Sequence, residues 1–383
     1  MQILLAVILF VIATVLFIAR KKIKNEDLER AANIGGIIAT IAALIVLAFY
    51  TVSPKPGDES QETSVPVYAP VILTDTPAFT LTYTATPPAT LSPSPTPVIV
   101  DGMVEVPAGK FIRGSSPEQI AMFASYCSDL TKKLQTTTPV CSQFNVEDET
   151  PSNRIYINAF WIDVYEVTNA KFKTFVDATG YQTTADENHK SLVSIMLPTY
   201  IVQTTFVNGA NWQHPYGPDS SIDGEANFPV VQVSWKDAIA YCKWVDKRLP
   251  TEAEWEKAAR GPDGLVYPWG NNQDFTRYNA FENDTSHPTL MAVGSFPSGA
   301  SIYGVQDLMG NANEYIADFY YRYFYKKAPL ENPFNDYDER SGEIVKRGGS
   351  FLTIYPYVNS AWRDSGLPSN SYNTTGFRCA KGQ

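Results

Sequence analysis

Residues 229–261 read PVVQVSWKDAIAYCKWVDKRLPTEAEWEKAARG, and two helix starts follow one another in this stretch. Ser234 stands just before Trp235, Ala238, Ile239 and Cys242, an apolar stripe at helical spacing, so its hydroxyl is placed to cap a first turn. Thr251 and Glu254 form a capping box ahead of Trp255, Ala258 and Ala259. A third helix is expected after Thr168, where Phe172, Phe175 and Val176 repeat at the same period. All three stripes read as core packing. Around them, from Asp101 onward, the chain is rich in aromatic residues and consists of short strand-like runs broken by Gly, Pro and Asn.

Working outward, further blocks appear in a fixed order: VEVPAGKFIRGS, FWIDVYEVTNAKFKTFVDATGY, the stretch quoted above, YPWGN, YGVQDLMGNANEY, RGGSF and GFRCAKG. Together they resemble the formylglycine-generating enzyme, or sulfatase-modifying factor, family over about residues 102–382. The resemblance implies an α+β domain of the formylglycine-generating-enzyme fold, C-type-lectin-like and low in regular secondary structure, spanning 101–383.

The rest of the chain reads differently. Residues 2–19 and 31–50 are uncharged apolar runs long enough to span a hydrocarbon core as helices. The loop 20–30 between them carries Arg20, Lys21, Lys22, Lys24 and Arg30, and is therefore expected on the cytoplasmic side. That reading predicts a transmembrane helical hairpin over 1–50 in the plasma membrane, with everything after Tyr50 outside the cytoplasm. A cleaved signal peptide is the alternative for the first run, but its start lacks Lys and Arg and no small-residue cleavage site precedes the basic loop. Residues 51–100 are dense in Pro, Ser and Thr and predict a semi-rigid extracytoplasmic stalk.

Composition excludes some functions. A net charge of −10 leaves no clustered basic surface for phosphate, so no nucleic-acid partner is expected. His189, His214 and His287 have no metal-ligand spacing. The iron-dependent sulfoxide synthases that share the domain need a separate His-rich helical domain, which three scattered histidines do not supply.

For active members of the family, the resemblance implies an oxidase that converts a sulfatase cysteine to formylglycine with two copper-binding cysteines, three and eight residues after the serine of the GGS block. Soft thiolates hold Cu(I) and cycle through a disulfide; hydroxyl and aliphatic groups do neither. Here the block is Gly348, Gly349, Ser350, and the two positions hold Thr353 and Val358. Copper is accordingly not expected. Cys242 and Cys379 match a structural disulfide of the family. Cys127 and Cys141 lie in what looks like an insertion and would close a 14-residue loop, worth about 3 kcal/mol; an even cysteine count in an oxidising compartment favours two disulfides.

The resemblance also implies structural calcium, with Asp307, Gly310, Ala312 and Glu314 at one site and Asn279 and Ala280 at a second, near Asp284; hard oxygen donors suit that ion. Where the family usually has Trp within GNxWEW, this chain has Asn313, followed by Glu314 and Tyr315. The C-terminal segment offers Tyr355, Tyr357, Asn359, Trp362, Arg363, Asp364, Asn370, Tyr372 and Asn373, a mixture suited to adaptable recognition. In some proteins of this fold the same segment is a hypervariable ligand-binding surface. The expected function is ligand or partner binding outside the cell, the ligand being a protein, peptide or glycan, by a member without catalysis. An active formylglycine-generating oxidase is the alternative.

Overall fold

A computed structural model describes residues 97–133, 141, 146–197, 202–283, 288–336 and 342–382. The predicted membrane hairpin (1–50) and nearly all of the predicted stalk lie outside these residues. Among the described residues no helix is long and apolar enough to cross a membrane.

One antiparallel sheet joins the two ends of the domain. Its order is β1 (Ile99–Val100), β2 (Met103–Val106), β5 (Phe160–Asp163) and β12 (Ala380–Gly382), with Ala380 opposite Ile162. A second sheet has the order β10 (Asp364–Gly366), β9 (Ile344–Arg347), β8 (Asn313–Phe319) and β11 (Thr375–Gly376), and β11 runs parallel to β8. Two hairpins complete the strands: β3 (Gly109–Arg113) with β4 (Asn153–Ile157), and β6 (Lys190–Met196) with β7 (Val202–Asn208). The mixture of short helices and short strands agrees with the expected α+β class.

The predicted caps are present. α2 (Asn169–Thr179) starts at Thr168, whose hydroxyl accepts from Lys171 N, and stops at Gly180, whose φ of 67° a residue with a Cβ would adopt only under strain. The short α3 (Thr184–Asn188) follows. α4 (Trp235–Trp244) begins with a Ser234–Asp237 capping box and α5 (Glu252–Arg260) with a Thr251–Glu254 box. Phe172 of α2 packs edge-on to Trp212 and Phe377 and stacks on Tyr241 of α4, with centroids 5.5, 6.4 and 5.9 Å away. Such pairs contribute about 0.5–1.5 kcal/mol each beyond area burial. The Cys242–Cys379 disulfide fastens the same layer, tying α4 to the last strand across 137 residues.

α5 departs from the expectation of a simple apolar stripe. All nine of its residues are buried, including Glu252, Glu254, Glu256, Lys257 and Arg260. Each charge has an address. Glu256 binds Arg260 at 2.8 Å and Arg347 of β9 at 2.7 Å, and Glu252 binds Arg363 at 2.7 and 3.0 Å. Lys257 Nζ donates to the carbonyls of Pro107, Gly109 and Ile157, and burial pulls its pKa down to about 8. A helix this polar stays inside because full pairing offsets the desolvation of its charges.

The segment 114–134 gave no helix expectation, yet it forms α1 (Pro117–Lys133). Its Cys127 bonds to Cys141, closing the expected local loop. The chain is completed by the short α6 (Phe324–Lys327).

Candidate functional site

Thr353 and Val358 sit in unlike surroundings. The Thr353 hydroxyl accepts from Ser350 N at 2.8 Å, Thr353 N returns a bond to the Ser350 carbonyl at 2.8 Å, and the two hydroxyls lie 3.3 Å apart. The threonine therefore closes the turn that follows Gly349. Val358 is fully buried in the main apolar core with Val266, Tyr267, Tyr278 and Trp255. Neither side chain offers a thiolate, and all four cysteines of the chain are spent in disulfides.

Between the two positions stands Tyr355. Its backbone N–H donates to Glu282 Oε1 at 2.6 Å, and its ring meets Phe123 and Tyr126 of α1 and Phe275 edge-on. The predicted insertion thus covers the segment in which the family's cysteines would lie.

The residues expected to form a ligand surface divide into groups. Tyr355, Asn359 and Arg363 are buried, which corrects their assignment to a surface. Asn359 closes a turn by accepting from Ala361 N and Trp362 N, and Arg363 is consumed by Glu252 and by the carbonyls of Asp148 and Tyr321. Asn373 is buried as well, exchanging bonds with the backbone of Ser194. Tyr357 and Trp362 remain half-buried and touch each other edge-on at 4.7 Å.

A different set converges on the second sheet. Asn313 Nδ2 donates to Asp364 at 2.7 Å, and Lys346 Nζ reaches the same carboxylate at 2.8 Å while lying 4.9 Å over the Tyr372 ring. Asn370 donates to the Tyr372 hydroxyl at 3.0 Å and accepts from Tyr315 at its carbonyl. Asn313 itself is buried, so it lines this patch from beneath; its Oδ1 has no partner among the described residues, nor has Thr375 Oγ1 at the register position opposite. Lys346 was not singled out from sequence, because only the sheet brings it beside Asp364.

The residues expected to bind calcium are brought together but engaged otherwise. Asn279 and Gly310 adjoin: Asn311 N donates to the Asn279 carbonyl at 2.7 Å, and a Cβ on Gly310 would collide with that oxygen. The Ala280 carbonyl accepts from Asn283 N, and Asp307 accepts from Gly294 N at 2.7 Å. Glu314 is held by Arg378 through two 2.7 Å bonds and by Trp255 Nε1 at 3.0 Å. Within this set the Glu314 carboxylate is paired with the Arg378 guanidinium. No group of three or more His, Cys, Asp or Glu side chains among the described residues is arranged around a metal position.

Sequence reading missed Glu166. Fully buried, it accepts from Asn311 Nδ2 and Ala312 N and faces Asp307 and Glu314. Burial and those two carboxylates hold its pKa well above the usual range.

Fold and site together define a disulfide-stapled α+β domain in which the Thr353 hydroxyl closes the turn after Gly349 and Val358 packs in the core. The chain belongs to the sulfatase-modifying factor enzyme 1-like domain family, which matches residues 88–383. It is 34% identical over 320 residues to the formylglycine-generating enzyme of Mus musculus, covering 76% of this chain and 77% of that one. It is 38% identical over 261 residues to the inactive C-alpha-formylglycine-generating enzyme 2 of the same species, covering 61% and 79%. Among solved structures, PvdO from Pseudomonas aeruginosa aligns with a TM-score of 0.54 at 22% identity, over 73% of this chain and 94% of that one, a likeness of fold.

Proposed function

We propose that this is a non-catalytic member of the family, tethered outside the membrane by the runs 2–19 and 31–50 and acting by binding a ligand or partner. The observation that carries the reading is the fate of the two cysteine positions. Thr353 serves the turn and Val358 the core, so the first cannot ligate Cu(I) and the second presents only methyl groups to its neighbours. The likeness to a relative whose own name calls it inactive is in keeping with this. The part of the expected surface still available for recognition is the patch of Asp364, Asn370 and Tyr372, backed by the buried Lys346, with Tyr357 and Trp362 as a separate aromatic pair.

The alternative is an active oxidase, favoured by the likeness to formylglycine-generating enzymes. The purified protein, loaded with copper and given a CxPxR peptide and oxygen, separates the two. We expect no aldehyde by mass spectrometry; turnover to formylglycine would remove the non-catalytic reading.

A further inference from the structure

The hairpin of β6 and β7 ends in a free edge. Leu192 N donates to the Ser371 carbonyl at 3.1 Å and the Leu192 carbonyl accepts from Asn373 N at 3.3 Å, while the backbone of Ser194 exchanges bonds with the Asn373 side chain. These residues of β6 therefore point away from β7, and the ones between them pair with it. Leu192 stands opposite Phe206, Ser194 opposite Thr204 and Met196 opposite Val202. It follows that Val202, Thr204 and Phe206 turn their N–H and C=O groups outward, where no backbone group of the described residues meets them.

Every residue from Val202 to Phe206 is exposed, Phe206 at 60% and Val202 at 45%. Just beyond, Val207 is half-buried and Gly217 closes on it. The open window is thus symmetric about Thr204. Natural sheets keep their free edges short, charged or interrupted by Pro. The outer strands of the two four-stranded sheets follow that rule, since β1, β10, β11 and β12 have two or three residues each. β7 has seven, runs against β6 without a register shift, and contains no Pro and no charged residue. On a chain of net charge −10 it is an uncharged strip.

We propose that β7 pairs with β7 of a second copy of this chain, antiparallel and two-fold about Thr204, so that two domains share one continuous sheet. The strand is complementary to itself. A two-fold axis at Thr204 sets that residue opposite its own copy and sets Val202 opposite the partner's Phe206, and each outward-facing residue then exchanges N–H···O=C bonds with its opposite. Directly opposite residues share a face, so valine meets phenylalanine there, a β-branched and aromatic pair of the kind that stabilises sheets, and no like charges come together. An axis at Thr205 would instead set Val202 against Asn208, whose carbonyl lies beside Gly217. A contact of this length falls short of the roughly 1,600 Å² of a standard interface, so the dimer is a weak and reversible one. The inference goes beyond the reading above and holds whether or not the domain oxidises a substrate.

Oxidative cross-linking of the full chain in mild detergent tests the pairing. The native cysteines are all in disulfides, so an introduced cysteine supplies the free thiol. Residues opposite each other in such a pair have Cα atoms about 5.5 Å apart, within disulfide reach. The two copies of residue 202 would stand about 14 Å apart. We expect Thr204→Cys to give a covalent dimer on a non-reducing gel at least about tenfold faster than Val202→Cys. The Thr204 hydroxyl bonds to that of Ser194 at 2.8 Å, so should Thr204→Cys melt early, a mixture of Gln203→Cys and Thr205→Cys proteins carries the test. Those two positions lie opposite each other on the other face, and the mixture should cross-link about tenfold faster than either protein alone. Thr204→Cys no faster than Val202→Cys, or a mixture no faster than its components, would overturn the proposal. Cross-linking of Thr204→Cys only to an added cysteine-bearing extended peptide of unrelated sequence would overturn it too, assigning the edge to a peptide partner.

Discussion

The ring of Tyr126 meets that of Tyr355 edge-on, with centroids 4.2 Å apart at 89°. One residue belongs to a disulfide-stapled helix that sequence blocks mark as an addition to the domain. The other lies between the two positions where an oxidase of this family keeps its cysteines. The helix is thus built into the core at this point: Phe123, beside Tyr126, is almost fully buried there.

Removing the staple should loosen that helix. Cys127→Ser with Cys141→Ser opens a 14-residue loop and is expected to cost about 3 kcal/mol. Denaturant unfolding reads the loss, and amide exchange should show it concentrated in Pro117–Lys133 and not in α4, which the other disulfide holds.

Arg378 neutralises one acidic cluster of the interior. Arg378→Met would leave Glu314 buried without its guanidinium, beside Glu166 and Asp307, and should cost about 3–5 kcal/mol in urea unfolding. Combining it with Glu314→Gln should lose less than the sum of the two single changes, because the second removes the charge the first exposes.

Gly310 tolerates no side chain. Its φ is 69° and an added Cβ would run into the Asn279 carbonyl, so Gly310→Ala should fold poorly or not at all. Soluble yield and near-ultraviolet circular dichroism measure this; Gly102→Ala, with no atom near the added carbon, is the control for positive φ alone.

Stability should fall as pH rises from about 4.5 to about 7. Burial pushes the Glu149 carboxyl up to about 7, and that of Glu282 to about 7. An acid whose pKa is raised by folding holds its proton more tightly in the native state. Its contribution is therefore complete below the unfolded value near 4.5 and is lost through pH 7, at about 1.4 kcal/mol per pH unit for each group. Glu256, lowered by Arg347 and Arg260 against its burial, acts in a window below 4.5 and does not offset this. Urea midpoints at several pH values give the slope, and Glu149→Gln should flatten it.

The helix starts were legible because capping is local: Ser234 with Asp237 and Thr251 with Glu254 act within four residues. The disulfides were legible from parity and from the family blocks. The buried charges of α5 were not, since Glu252 and Glu256 find Arg363 and Arg347 about ninety or more residues away, and a glutamate at helical spacing reads as solvated until its partner is placed. The same blindness put Arg363, Asn359 and Tyr355 on a surface: their residue types suit recognition, while their positions serve turns and pairs inside the domain. α1 was missed although Ser116 and Gln119 form a capping box ahead of Pro117, because its polar sequence has no strong apolar stripe and its packing of Phe123 and Tyr126 shows only against Tyr355.

The strand Ala380–Gly382 carries a consequence for how the molecule is made. It hydrogen-bonds to β5, just behind it Cys379 supplies the bond to α4, and Arg378 supplies the counter-charge for Glu314. A ribosome delivers all three of these only after their partners in β5, α4 and β8 have emerged. The nascent domain therefore waits with an unpaired strand, an open thiol and a bare interior acid. It closes as a unit once residues 378–382 have joined it, so a nonsense mutation or a protease cut ahead of Arg378 would undo the whole.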